Sequence, residues 1–355
     1  MRHLLIRADA STAIGSGHIM RCLALAQAWQ EGGGCVTFLS HCQNEALRRR
    51  IVKEGFEFVF VERPHPDPAD LKKILERLKN SPNGSDFPWL VLDGYHFDSN
   101  YQKSIRETGS RLVVIDDYNH LPDYHADIII NQNIRAEIIP YKCDLKKTVK
   151  LLGPKYVLFR TEFLTRNNIF RKQYEDHHRI LVTFGGSDPY NITSKVLRAL
   201  LQMPLNGYMI DVIVGPANPH VKHLEFEIKN AMKASVSPAN SIQLHRNINM
   251  PDIMAMTDVA IVAGGSTCWE LCFLGKPFIV LIAAENQHGI GHGLDDAGVA
   301  ICLGWHEDVS LNQIKTSLKK LLFNTAIRRA QSAKGRKIVD GQGRYRVMDA
   351  ICKSD

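Results

Sequence analysis

The sequence predicts an α/β protein built of two doubly wound, Rossmann-like domains. Three observations carry that expectation. Short β-rich apolar runs alternate with longer amphipathic stretches; the alternation pauses at a charged, Tyr- and Arg-rich stretch at about 160–178 and then restarts; and 355 residues suit two domains of the usual ~100–200 residues better than one. Strand–helix alternation implies right-handed βαβ units and parallel sheets covered on both faces. The expected domains are 1–160 and 161–355.

In the first domain, buried strands are expected at Leu4–Arg7, Val36–Leu39, Phe58–Val61, Trp89–Leu92, Leu112–Ile115 and Ile128–Ile130. Helical patterns lie between them at 18–31, 43–54, 69–79 and 99–108. The second set of strands is Ile180–Phe184, Met209–Val214, Ile242–Leu244, Val259–Val262 and Phe278–Ile282, with helices at 190–203, 219–233, 250–256, 266–274, 289–297 and 310–322. The tail 325–352 reads as one or two more helices. A protein of this kind is expected to bind its ligand in a cleft between facing domains, at the carboxyl ends of the strands.

Composition narrows the function. With 44 Lys+Arg against 37 Asp+Glu the net charge is +7, spread thinly, with short clusters such as Arg48-Arg49-Arg50 and no long like-charge block. Nucleic acid is therefore not an expected partner, whereas an anionic small substrate suits a mildly basic chain. The start, Met1 to Arg7, breaks into charge before a signal-peptide apolar region develops, and no run approaches the roughly 18–20 apolar residues of a membrane span, so a cytoplasmic protein without membrane insertion, and a monomer, is expected. The eight cysteines show no CxxC pair and no metal-ligand spacing; they are expected to be reduced and mostly buried, with Cys268 and Cys272 packed one helical turn apart.

Four segments carry chemistry. Between the first strand and helix, Arg7-Ala8-Asp9-Ala10-Ser11-Thr12-Ala13-Ile14-Gly15-Ser16-Gly17-His18-Ile19-Met20-Arg21 lacks the third glycine of GxGxxG, so it is a weak phosphate signal. His18, in the first turn of that helix, projects from the carboxyl edge of the sheet and can act as a general base; the plainer alternative is a histidine that packs the loop. In Ile261-Val262-Ala263-Gly264-Gly265-Ser266-Thr267-Cys268-Trp269-Glu270, two glycines let a diphosphate approach the backbone. Ser266 and Thr267 are expected to cap the helix and donate hydroxyls, and Glu270 either to accept from a ribose diol or to be a solvated carboxylate. The strand 278–282 opens abruptly into Ala283-Ala284-Glu285-Asn286-Gln287-His288, and a similar step at Thr183-Phe184-Gly185-Gly186-Ser187-Asp188 gives a glycine turn whose alternative is a plain strand-to-helix turn capped by Asp188. In the first domain, Asp93-Gly94-Tyr95 and Asp116-Asp117-Tyr118 put carboxylates and tyrosines at strand ends; Asp116 and Asp117 point to opposite sides, which argues against a glycosidase carboxylate dyad.

Taken together these segments resemble the UDP-2,4-diacetamido-2,4,6-trideoxy-β-L-altropyranose hydrolases of pseudaminic acid biosynthesis. The resemblance runs through Arg7–Ser11, Ile14–Leu23, Asp93-Gly94-Tyr95, Ile115-Asp116-Asp117, Asn131-Gln132-Asn133, Leu152–Tyr156, Thr183–Pro189, Gly264–Thr267 with Glu270, and Ala284–Gln287, in order over about residues 4–300. It implies a GT-B-like fold similar to lipid-II-forming glycosyltransferases, UDP held by the carboxyl-terminal domain, sugar and water by the amino-terminal one, and neither metal nor cofactor. By the same resemblance His18 is the general base and Tyr95 the site tyrosine. Gly264, Gly265, Ser266, Thr267, Glu270, Asn286 and Gln287 fall on nucleotide contacts, with Gly15, Gly17, Arg21, Gly185 and Gly186 as further substrate-binding positions. Gly94 departs from the family, in which a larger polar residue is common. The implied reaction is hydrolysis of the UDP-sugar to UDP and free sugar. A GT-B glycosyltransferase using the same base on an acceptor hydroxyl is the alternative, and a non-enzymatic UDP-sugar-binding module a third.

Overall fold

A computed structural model of the chain describes residues 3–11, 14–79, 88–144, 146–165, 178–205, 207–215, 217–234, 241–246 and 248–354. Most of the charged stretch expected to separate the domains, and Thr12 and Ala13 of the first motif, lie outside the described residues. Two compact units are present: Met1–Thr161 with Gly341–Asp355, and Glu162–Asp340.

Among the described residues the first unit carries a seven-stranded parallel sheet of order β3-β2-β1-β4-β5-β6-β7. Its strands are β1 His3–Ala8, β2 Cys35–Ser40, β3 Glu57–Phe60, β4 Trp89–Asp93, β5 Arg111–Ile115, β6 Ile128–Asn131 and β7 Val149–Leu152. Its helices are α1 Gly17–Glu31, α2 Glu45–Lys53, α3 Pro68–Lys79 and α4 Ser99–Arg106. The central strands read as unbroken apolar runs because both faces are covered. In β1, Leu4 and Ile6 join Ile19 and Leu23 of α1 in one core, while Leu5, on the other face, joins Ile74 of α3 and Tyr101 of α4 in a second. The strand β7 was not among the expected ones; as an edge strand it exposes Val149 and Lys150 and lacks an apolar run.

The second unit has a six-stranded parallel sheet of order β10-β9-β8-β11-β12-β13 among the described residues. The strands are β8 Arg179–Thr183, β9 Met209–Ile213, β10 Ser241–His245, β11 Val259–Ala263, β12 Phe278–Ile282 and β13 Ile301–Trp305. After a single helical turn at Thr161–Leu164, the longer helices are α5 Ile192–Leu201, α6 Val221–Ala234, α7 Met250–Met256, α8 Thr267–Leu274, α9 His288–Asp296, α10 Leu311–Leu322 and α11 Thr325–Ile338. The edge strand β13 also lay outside the expected set; all five of its residues are half-buried and Gly304 interrupts its apolar pattern. Cys268 and Cys272 are both buried in α8, and α11 reaches that helix closely because Gly335, whose Cβ would lie 3.2 Å from Cys272 Cα, has none. Of the eight thiols, Cys22, Cys42, Cys268 and Cys272 are buried and Cys35 and Cys352 exposed, so burial is less general than composition suggested. No described helix is long and apolar enough to cross a membrane.

The expected boundary differs from the observed one at the tail. The last helix, α12 Gly343–Ser354, falls within the expected second domain 161–355 but packs on α1 of the first unit. Val347 and Ile351 enter the α1-side core, and the buried Arg344 donates from Nη2 to both Glu31 oxygens at 2.8 and 2.9 Å and from Nη1 to Thr161 Oγ1 at 2.8 Å. Residue 343 must be glycine, since a Cβ there would lie 2.2 Å from the Val157 carbonyl oxygen. Gly343→Ala should therefore cost about 2–3 kcal/mol by overpacking against backbone that cannot yield. Urea denaturation followed by amide exchange should localise that loss to the first unit, with the second unit's protection unchanged.

Candidate active site

The carboxyl edge of the first sheet gathers a buried ionic network around one imidazole. His18 and Arg21, three residues apart on α1, share a helix face and both reach Asp93 at the end of β4. Their meeting follows from topology, because α1 follows β1 and β1 pairs with β4 up to Ala8 beside Asp93. His18 Nδ1 lies 2.6 Å from Asp93 Oδ1, and Arg21 binds the same carboxylate through Nε and Nη2, each at 2.6 Å. Arg21 Nη1 then bridges to both oxygens of Asp117 at 2.8 and 2.9 Å. Asp117 also accepts from Asn133 Nδ2 at 2.7 Å and from the Tyr95 hydroxyl. The Tyr95 ring meets His18 edge-on, centroids 5.0 Å apart at 79°.

Asp93 is fully buried. Desolvation opposes its charge, but Arg21 and His18 outweigh it and hold the carboxyl well below the usual range; Asp93 and Asp117 in turn raise Arg21. Asp93 cannot donate, so the His18 proton sits on Nδ1 and Nε2 is left as the acceptor. Asp116 turns to a separate set of partners, as expected of adjacent residues. It accepts from the Tyr118 amide at 2.9 Å, the Asn119 amide at 2.5 Å, the Tyr124 and Tyr141 hydroxyls at 2.8 Å each, and His120 Nδ1. These donors hold Asp116 low and build the loop wall behind Tyr95, whose ring lies 5.0 Å from Tyr118 and 5.5 Å from His120.

Thus the structure brings His18, Arg21 and Tyr95 together. It commits the Arg21 guanidinium to two carboxylates, a different placement from the substrate contact expected of it. Gly15, at φ +77°, closes the turn by donating its N–H to the Ser11 carbonyl at 2.8 Å, and Gly17 opens α1 with space around it. Asp93 and Asp117 are visible in the sequence as rim residues and Asn133 only as part of the resemblance, and nothing there ties the three to His18.

In the second unit the expected nucleotide positions fall on the carboxyl edge between β11 and β12. Gly264 to Thr267 form the turn into α8, with Glu270 half-buried in its first turn. The expected hydroxyl cap is not made: Ser266 has no side-chain cap bond, and among the described residues the Ser266 and Thr267 amides have no acceptor. The reason is conformational, since Ser266 is already helical (φ −56°, ψ −27°) and its side chain does not turn back over the first amides. Gln287 staples this turn: its Oε1 accepts from the Gly264 amide at 3.1 Å and the Ala283 amide at 2.9 Å. A Cβ on Gly264 would lie 3.0 Å from Gln287 Cβ. Asn286 occupies the same one-turn segment, Glu285–Gln287.

The other glycine turn is different. Asp188 accepts from the Ile192 and Thr193 amides at 2.9 and 3.0 Å, so the start of α5 is already satisfied by a carboxylate, which burial holds above its usual pKa. Gly185 takes φ +80°, and the Gly186 carbonyl accepts from the Ala217 amide at 3.1 Å. Two helices thus begin on this edge with opposite character, α5 closed by Asp188 and α8 with open amides.

Fold and rims together define an α/β protein of GT-B-like fold. Residues 180–343 match the Glycosyltransferase family 28 C-terminal domain. The MurG structure of Acinetobacter baumannii superposes with a TM-score of 0.68 at 16% identity, covering 99% of this chain and 100% of that one, a likeness of fold. Among relatives, protein MJ1062 of Methanocaldococcus jannaschii is 30% identical over 289 residues; they make up 80% of this chain, which spans only 56% of that relative's length. The spore coat polysaccharide biosynthesis protein SpsG of Bacillus subtilis is 26% identical, covering 97% of this chain and 96% of SpsG. The UDP-2,4-diacetamido-2,4,6-trideoxy-β-L-altropyranose hydrolase of Campylobacter jejuni is 24% identical, covering 84% of this chain and 98% of the hydrolase.

The depressed Asp93 and Asp116 make the first unit acid-sensitive. A carboxylate lowered by folding contributes stability that is complete above the ordinary value of about 4 and is lost as pH falls through the depressed one. The urea midpoint of the first unit should hold from about pH 7 to 5 and fall below about pH 4. Asp93→Asn, which leaves Arg21 with one carboxylate, should cost about 3–5 kcal/mol at neutral pH and flatten the acid limb.

Proposed function

We propose that this chain hydrolyses a UDP-activated 2,4-diacetamido-2,4,6-trideoxy sugar of the β-L-altro type to UDP and the free sugar, in nonulosonate synthesis. The observation that carries the proposal is the buried Asp93 carboxylate against His18 Nδ1, which fixes the imidazole and turns its basic Nε2 outward as an acceptor. In the proposed step Nε2 takes a proton from water, the water oxygen bonds to the anomeric carbon, and the bond from that carbon to the β-phosphate oxygen breaks. UDP departs with all its phosphate oxygens. Support for the substrate comes from the relation to the Campylobacter jejuni hydrolase and, for sugar biosynthesis more widely, to SpsG.

The open amides of Ser266 and Thr267 at the start of α8 suit the diphosphate, whose growing charge they would stabilise, and Glu270 with Asn286 suits the nucleoside. Gln287 acts by holding the Gly264 turn. Arg21 serves as a positioning residue, fixing Asp93 and Asp117, while Tyr95, anchored on Asp117, packs the imidazole. A transferase is favoured instead by the match to the glycosyltransferase family 28 domain, because an acceptor hydroxyl needs the same base as water.

A phosphorus NMR time course with UDP-2,4-diacetamido-2,4,6-trideoxy-β-L-altrose, without acceptor, should show UDP release. His18→Ala should slow it by about 10²–10⁴-fold with UDP affinity nearly unchanged. In ¹⁸O-water the label should enter the sugar; label in UDP would refute attack at carbon. Substrate that binds and stays intact until an acceptor is supplied would establish the transferase.

A further inference from the structure

A second imidazole lies against a buried carboxylate at the same edge of the first sheet. Asp9 follows β1, next to the Ala8–Asp93 pairing, and is buried. It accepts from Arg7 Nη2 at 2.9 Å, from Arg7 Nη1 and from the His41 amide at 2.6 Å, and these contacts with His96 hold it down to about 2. His96 Nε2 lies 3.0 Å from Asp9 Oδ2. That nitrogen is buried and faces the carboxylate without the alignment of a hydrogen bond, while the side chain keeps 25% of its surface exposed and Nδ1 is not among the buried unpartnered atoms.

The ring is placed by an absence in the sequence. A Cβ at residue 94 would lie 2.8 Å from His96 Cε1, 3.1 Å from His96 Nδ1 and 2.9 Å from Phe97 Cε2, so glycine at 94 is what lets the imidazole lie over this position. Gly94 and His96 are therefore one feature. Arg7, fully buried and bound to Asp9 and to Asp70 on α3, fixes the carboxylate beneath it.

We propose that His96 is a specificity-determining residue for the sugar, accepting a hydrogen bond at Nδ1 from an amide N–H or hydroxyl of the substrate. The assignment rests on the UDP-sugar function proposed above. Asp9 cannot donate, so the proton of neutral His96 sits on Nε2, and Nδ1 offers a lone pair. An acceptor there favours a sugar bearing N–H or O–H donors and contributes nothing to UDP alone.

The test compares the whole protein with His96→Phe, which keeps a ring over Gly94 but no nitrogen, and His96→Asn, whose Oδ1 can stand where Nδ1 stood. With UDP-2,4-diacetamido-2,4,6-trideoxy-β-L-altrose, His96→Phe should raise KM about tenfold, the weight of one neutral hydrogen bond, with kcat within about twofold and inhibition by UDP unchanged. His96→Asn should recover most of that loss. Thermal unfolding of each variant separates a folding defect from a binding one. Wild-type turnover with His96→Phe indistinguishable from it would overturn the assignment alone. A wild type that neither binds nor cleaves this sugar would overturn the functional proposal and the assignment with it.

Discussion

The first unit depends on one buried charge. Asp93 is out of water at the end of a central strand and is tolerable there only because Arg21 and His18 meet it. The same contacts draw α1 onto the sheet edge, fix which nitrogen of His18 is basic, and pass through Arg21 to Asp117, Tyr95 and Asn133. Stability and chemistry are therefore not separable at this residue. An imidazole packed by apolar neighbours alone would keep its place with no assigned tautomer; a carboxylate without the guanidinium would be an uncompensated charge.

On the second unit the selection is made by what a helix end lacks. Both α5 and α8 follow glycine turns at the carboxyl edge of the sheet, and both have the dipole that favours an anion. Asp188 supplies that anion internally to α5, whereas α8 keeps its Ser266 and Thr267 amides open. The glycine pair is the common feature and the capping carboxylate the distinguishing one, so motif spacing alone ranks the two turns less well than the identity of the residue two positions beyond the glycines.

Much of this was legible in the sequence, and the exceptions share a cause. Strands covered on both faces announce themselves as apolar runs, and the central strands of both sheets lie close to where the runs put them. Of the four edge strands, β3 and β10 keep enough apolar residues to be expected, whereas in β7 and β13 Lys150 and Gly304 break the pattern that burial would have enforced. Helix starts were legible within a few residues, but the bonds at them were not, as the uncapped Ser266 demonstrates. His18 stood out for its position on a helix start, yet its partner lies 75 residues away, a distance only the βαβ crossover closes. Gly94 carries no signal of its own in the sequence, and its role emerges only with the ring of His96 lying over it.

The return of α12 to the first unit inverts the order of assembly. The second unit is encoded without interruption, so all of its strands have been synthesised before residue 341 exists. The first unit begins first but is completed last: until Val347, Ile351 and Arg344 arrive, the face of α1 that carries Glu31 and the neighbouring core remains unsheathed. A nascent chain thus holds an open hydrophobic surface through the making of an entire second domain, the interval in which protection from aggregation matters most. It also means that residues 1–161 alone are a fragment, and that dissecting the protein requires splicing its tail to its head.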